Sequence, residues 1–321
     1  MKPIHRGLSI CSAFALVWLV ICAGAGVVAT EWALHPGRRV LTPDMQAQAV
    51  AFAEQEGATL APVSISADDG VQLSGWAIRP DHPNGNAVIL MHGVSDNRAG
   101  MLGSADLFLR RGYFVLLPDA RAHGLSGGAI ATYGIKESDD IRNWFEWIKR
   151  TQASHCIDGL GDSMGAAQLL QSLKKEPGFC AVVAESSFAN FREASFIRMG
   201  QQIDADAWVG RTMLRPAVEF GFLYARFRYG VDLSHTAPDE AVASSRVPVL
   251  LIHGLKDTNL PPYNSEMIVA RNHGESGRLV LWEPPEAGHC GAAGAEPREY
   301  EKRVAGWFEG HDRALAAEAP R

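Results

Sequence analysis

A chain of 321 residues holds two average domains or one large α/β fold, and its 47% hydrophobic and 21% charged residues are ordinary for a globular protein. That composition excludes disorder, collagen and coiled coil. Thirty Lys and Arg against thirty-six Asp and Glu give a net charge of −6, so no cationic excess neutralises phosphates and nucleic acid is not an expected partner. Five cysteines are too few for a disulfide scaffold.

The N-terminus opens with Lys2, His5 and Arg6, followed by a run without charge from Gly7 to Thr30. As a helix that run rises about 36 Å, enough to cross a hydrocarbon core of about 30 Å. Its apolar stretch is longer than the core of a secretory signal, yet Ala23-Gly24-Ala25 has the small-x-small form of a signal-peptidase site. A retained anchor and a cleaved signal are therefore both open. Lys2 and Arg6 favour an N-terminus inside, which puts the remaining chain outside the cytoplasm, at a bacterial inner membrane or in the periplasm. Ile21 before Cys22 is too bulky for a lipoprotein signal.

A short helix is expected after Thr42 as N-cap and Pro43 at its first position, ending at Gly57. A hairpin follows: Pro62 to Ala67, the turn Asp68-Asp69-Gly70, then Val71 to Ile78. From Ala87 onward, short apolar runs at Ala87–Met91, Tyr113–Leu117, Cys156–Leu160, Cys180–Ala184, Val247–Ile252 and Arg278–Trp282 alternate with longer segments. Those at Ala99–Arg111, Ile135–Arg150 and Met164–Lys175 read as helices. The pattern predicts a mostly parallel sheet covered on both faces. Residues 188–246 contain no clear strand and are too long for a connection, so they read as a helical insertion. The expected division is an anchor or signal over 1–30, a linker and short helix over 31–60, an α/β domain over 61–310 with a cap at 188–246, and a tail over 311–321.

Gly161-Asp162-Ser163-Met164-Gly165 matches G-x-S-x-G, a weak signal alone. It gains weight from lying between the end of a strand and the start of a helix, where a tight turn would expose the Ser163 hydroxyl. A serine needs a base, and the base needs an orienting acid. Asp257 follows the Val247–Ile252 strand and His289 follows Arg278–Trp282, so both fall at carboxyl ends of strands, where open α/β sheets bind ligands. His273 and His311 are competing bases, and Glu185 is the alternative acid. The backbone N–H groups of Met164 and of Val94, in the loop His92-Gly93-Val94-Ser95, are the candidate oxyanion donors. His92 itself is expected to brace that loop.

Five motifs in this order resemble those of the α/β-hydrolase superfamily: His92-Gly93, Asp119 to Ser126, Gly161 to Gly165, His253 to Asp257, and Gly288-His289. The stretch Asp119 to Ser126 with Tyr133-Gly134 looks like the branch of bacterial membrane-associated esterases and serine-aminopeptidase-like hydrolases. The resemblance implies an α/β-hydrolase fold with an eight-stranded sheet, Ser163, Asp257 and His289 as catalytic residues, and no cofactor. It gives Asp119 and Arg121 structural roles only. In the resembled fold the strands begun by Cys156 and Cys180 are neighbours, so a disulfide and two buried thiols are both open. Cys290 is expected to be passive. No C-x-x-C or clustered His/Cys spacing occurs, and no metal site is indicated.

The expected function is an exported or membrane-anchored serine hydrolase of carboxylesterase or lipase type, acting on a small ester, thioester or other acyl substrate, with the insertion's aromatic residues suited to an acyl group. Two rivals stand beside it. A peptidase of aminopeptidase type would need cap acids, and Asp204, Asp206, Glu219 and Asp232 are available. A non-catalytic membrane-anchored module is the other, and an intact Ser, Asp and His set argues against it.

Overall fold

A computed structural model describes the backbone over residues 3–272 and 277–318, and side chains over 12–272 and 277–312. In chain order the first elements are α1 (Pro3–Leu34), α2 (Pro43–Gln55), β1 (Ala58–Ser66), β2 (Gln72–Pro80) and β3 (Asn86–Met91). Next come α3 (Leu102–Leu109), β4 (Phe114–Pro118), α4 (Glu137–Thr151), β5 (Cys156–Asp162), α5 (Met164–Ser172) and β6 (Val182–Glu185). The remainder is α6 (Phe191–Gln201), α7 (Ala207–Arg211), α8 (Arg215–Tyr229), α9 (Pro238–Ser244), β7 (Val249–Ile252), α10 (Tyr263–Arg271), β8 (Leu279–Trp282), α11 (Ala292–Ala295) and α12 (Pro297–Glu318).

The chain divides into two compact units, and the division differs from the expected one. One unit is the sheet with its flanking helices, Pro36–Ala189 and Thr236–Arg321. The other joins the N-terminal helix to Asn190–His235, so α1 and the insertion form one body rather than two separate pieces. Because α9 packs on α5 and α10 within the sheet unit, the insertion is shorter than the 188–246 expected.

The eight strands of the sheet run in the order β1-β2-β4-β3-β5-β6-β7-β8, with only β2 antiparallel to its neighbours. Alternation along β3 sends Ala87, Ile89 and Met91 to one apolar layer and Val88 and Leu90 to the other. Both layers are buried, as covering helices on both faces require. The hairpin starts four residues earlier than expected, because β1 is an edge strand that tolerates Pro62 within it. The expected helix at Ala99–Arg111 is split, with a 3-10 turn over Arg98–Met101 preceding α3. Thr42 caps α2 as expected, its hydroxyl accepting from Met45 N–H at 3.2 Å. Residues 311–318 continue α12 rather than forming a tail.

Within the helical unit, Cys22, Gly26, Thr30 and Leu34 form a buried stripe at four-residue spacing along α1, facing α8. Gly26 lies so close to α8 that an added Cβ would stand 2.2 Å from the Ala217 carbonyl oxygen and 2.9 Å from Gly221 N. Glu31 accepts hydrogen bonds from the Tyr224 and Tyr229 hydroxyls, both at 2.6 Å. Residues Ser12–Leu34 are long and apolar enough to cross a membrane by length and composition. Phe222 is buried, whereas Trp208 and Phe227 are exposed.

Candidate active site at the carboxyl edge of the sheet

Ser163 sits at the turn from β5 into α5 with φ +53° and ψ −110°, a backbone strain that a non-glycine residue adopts only where the surroundings impose it. Its N–H is held by the Glu185 carbonyl at 2.8 Å. The flanking glycines are needed for space. A Cβ on Gly165 would meet the Met91 and His92 carbonyl oxygens at 2.3 and 2.6 Å, and one on Gly161 would meet Ala166 N at 2.7 Å. α5 can therefore begin against the end of β3 only because the motif lacks side chains there.

The loop after β7 carries Asp257 and the loop after β8 carries His289. Gly254 lets them touch: a Cβ there would lie 2.2 Å from the Ala287 carbonyl oxygen, and Lys256 N–H donates to that same oxygen at 2.9 Å. Across this contact His289 Nδ1 lies 2.7 Å from Asp257 Oδ2, and His289 Nε2 lies 2.9 Å from Ser163 Oγ. With the proton on Nδ1 donated to the carboxylate, Nε2 is left to accept from the serine hydroxyl.

Asp257 is buried, which raises a carboxyl pKa, yet hydrogen bonds from His253 and His289 and from Leu260 N–H hold it well below the usual carboxylate range. Its Oδ1 accepts from Asn259 and Leu260 N–H at 2.9 Å each, and His253 Nε2 stands 3.3 Å from Oδ2. His253 is in turn fixed by Ser265 Oγ and the Leu260 carbonyl, each at 2.7 Å.

Val94 and Met164, the expected oxyanion donors, lie in the loop after β3 and at the first position of α5. Among the described residues no protein acceptor is found for either N–H. Gly93 has no steric need of its own, since a Cβ there would make ordinary 3.7 Å contact with Ser163 Cβ. His92 braces the loop: Nδ1 donates to the Gly93 carbonyl at 2.7 Å and Nε2 accepts from Ala120 N–H at 3.0 Å. Burial, assisted by nearby His123, lowers its pKa to about 4, so the ring stays neutral at pH 7. Asp119 pairs with the buried Arg98 at 2.6 Å, and Arg121 is held by Asp69 and Asp140.

Sequence reasoning overlooked the clip formed by Glu185 and Ser186 at the end of β6. Glu185 Oε1 accepts from Ala292 N–H at 2.9 Å, and Ser186 Oγ accepts from Cys290 N–H at 3.0 Å. Together with the Glu185 carbonyl on Ser163, these bonds tie the loop of His289 to the turn of Ser163. The only sequence signal was that Glu185 ends a strand. Burial and the neighbouring Asp162 push Glu185 up to about 8, while burial and Asp96 push Asp162 up to about 7. Burial also raises the Cys290 thiol pKa far above its ordinary value, which leaves it inert at neutral pH.

Of the competing bases, the described His311 does not enter this arrangement. His311 bonds the Trp307 carbonyl within α12, and His273 lies outside the described residues. Cys156 and Cys180 form a disulfide with Cα atoms 5.7 Å apart, and Cys180 precedes β6 rather than beginning it.

Residues 82–219, less than half the chain, match the family described as serine aminopeptidase, S33. The uncharacterized protein YqkD of Bacillus subtilis is 29% identical over 208 residues, covering 64% of this chain and 66% of its own length, just under two thirds. The uncharacterized protein YfhR of Escherichia coli is 25% identical over 227 residues, or 68% of this chain and 70% of its own. Among solved structures, the Pyrococcus furiosus esterase Pf2001 is 26% identical with a TM-score of 0.66, over 85% of this chain and 98% of that one. The acylaminoacyl peptidase of Pyrococcus horikoshii, 19% identical with a TM-score of 0.59 over 81% of this chain and 42% of its own, shares the fold. With its sheet order, its strained serine turn and these likenesses, the chain belongs to the α/β-hydrolase superfamily.

Proposed function

We propose that this serine hydrolase cleaves carboxylic esters or thioesters through an acyl-enzyme on Ser163. The observation that carries the reading is the continuous hydrogen-bonded line from Ser163 through His289 to Asp257. As Ser163 Oγ attacks the carbonyl carbon, its proton passes to His289 Nε2, and Asp257 stabilises the imidazolium. The Val94 and Met164 N–H groups hold the oxyanion. Collapse breaks the ester bond, and the alcohol or thiol leaves with the proton from His289. Water then attacks the acyl carbon by the same proton path and frees the acid and Ser163. The residues do this without a metal or organic cofactor.

The family match to a serine aminopeptidase favours amide cleavage as the second reading. Against it stands the engagement of the insertion's acids. Glu219 pairs with Arg192, Asp206 caps α7, and Asp232 bonds Ser234 and pairs with Arg226, which leaves the exposed Asp204, of the four, to hold a substrate amine. The aromatic residues of the insertion suit an apolar acyl group only in part, since Phe222 is core and Tyr224 and Tyr229 bind Glu31.

In the same reading α1 is a retained membrane span with its amino terminus in the cytoplasm and the sheet unit outside. The stripe that α1 packs on α8 supports retention, because cleavage after Ala25 would remove Cys22 from it, and a disulfide suits an oxidising compartment.

The test is turnover of p-nitrophenyl esters from acetate to palmitate, beside aminoacyl p-nitroanilides, by the full chain in detergent and its Ser163→Ala partner. Ester turnover lost by about 10³-fold or more with Ser163 is expected. Anilide turnover exceeding ester turnover would replace this reading with the peptidase one, and equal activity in both proteins would remove Ser163 from the chemistry.

A further inference from the structure

The register of α1 on α8 sets how deep the insertion must sit beside a bilayer. Gly26 meets Ala217 and Gly221, Thr30 meets Gly221, Glu31 meets Tyr224 and Tyr229, and the His35 ring lies 5.7 Å from that of Tyr229. Residue numbers rise together, so the two helices run parallel. The first turn of α8 is therefore level with about Cys22, and the turn before it lies further toward the amino end of α1.

Below that level α1 is bare. Phe14, Leu16, Val17, Trp18, Val20 and Ile21 are all exposed. The uncharged stretch from Gly7 to Ile21 rises only about 22 Å, against a hydrocarbon core of about 30 Å. The missing part, about 8 Å, falls on the portion of α1 that carries the start of α8. Spanning thus brings the entry of α8 down to the membrane. Met213 and Trp208, in that turn and in α7 just before it, are 57% and 62% exposed, large apolar side chains that the protein leaves mostly uncovered. Arg211 and Arg215 flank them on long stems that reach a headgroup layer while their charges stay paired with Glu193 and Glu219. Trp beside Arg is the composition of a membrane interface.

We propose that the α7–α8 turn, through Trp208 and Met213, is seated in the outer leaflet of the lipid bilayer, making the insertion a second, in-plane membrane contact. The inference rests on the reading of α1 as a span. Phe227 serves as its internal control: it is exposed too, but lies nine residues beyond the first turn of α8 that stands level with Cys22, and so stands in water.

The experiment uses the full chain in nanodiscs of phosphatidylethanolamine and phosphatidylglycerol, with Cys11 and Cys22 replaced by serine, the inert Cys290 left in place, and an environment-sensitive NBD label on Trp208→Cys, Met213→Cys or Phe227→Cys. Retained ester turnover certifies each folded protein. The proposal expects blue-shifted emission at positions 208 and 213, quenched severalfold more by brominated lipid than emission at 227. Water-like emission at all three, in protein that resists extraction by carbonate, overturns the seating while leaving the span intact. Equal burial of all three overturns the depth order. Release of the protein by carbonate overturns the span, and the seating with it.

Discussion

Around Ser163 the contacts that matter are polar and convergent. Two loops are pinned by backbone N–H groups donating to the side chains of Asp257, Glu185 and Ser186, and the serine turn by its own N–H on the Glu185 carbonyl. Along α1 and α8 the decisive contact is the absence of side chains, with Gly26 and Gly221 letting two backbones meet and a polar knot at Glu31. The difference teaches where each region is vulnerable. Hydrogen-bonded loops can lose geometry while the fold survives, whereas a backbone contact tolerates no added volume.

The largest expected effect comes from adding one methyl group to the serine turn. Gly165→Ala puts a Cβ against two carbonyl oxygens, so we expect α5 to be displaced and both activity and soluble yield to collapse; near-normal turnover would show that the turn relaxes freely. Next is Glu185→Ala, which unties the loop of His289. We expect kcat to fall by about 10–100-fold with KM little changed and folding retained, and substantial rescue by Glu185→Gln, which keeps an acceptor oxygen. An equal loss in both variants would mean that charge, not position, matters.

Gly26→Val should separate the two regions. The helical unit is expected to become sensitive to limited proteolysis within 190–235, while hydrolysis of short soluble esters persists. A parallel loss of both would join what the comparison holds apart.

A smaller effect is expected from pH. Glu185 is raised to about 8 against an ordinary value near 4.5, so between these limits the folded protein binds a proton that the unfolded chain does not. Stability therefore falls as pH rises through that window. Thermal melts from pH 5 to 9 should show the slope, and Glu185→Gln should remove the part that persists between about pH 7 and 8, above the range in which Asp162 contributes. The smallest is Thr42→Ala, which removes one capping bond from α2 at about 1 kcal/mol, read by urea denaturation, with no change in turnover.

Much of the sheet was legible in the sequence because continuous apolar runs have one stable use in a chain of this kind, burial on both faces. Ser163, Asp257 and His289 were singled out by the G-x-S-x-G motif, by their places at the ends of such runs and by the superfamily resemblance, and the structure brings all three side chains within hydrogen-bonding distance. The roles of His253 and Ser186 were not legible. A histidine that orients an acid and a serine that anchors a loop have no periodicity, and their partners lie 4 and 104 residues away.

Local chemistry thus determined the strands, the cap at Thr42, the space around the serine turn and the apolar length of α1, because each depends on residues within one turn or one strand of another. Only the tertiary structure decided that the N-terminal helix and the insertion are one unit. That pairing rests on Gly26 fitting Gly221 across nearly two hundred residues, and a glycine carries no mark of what will lie against it.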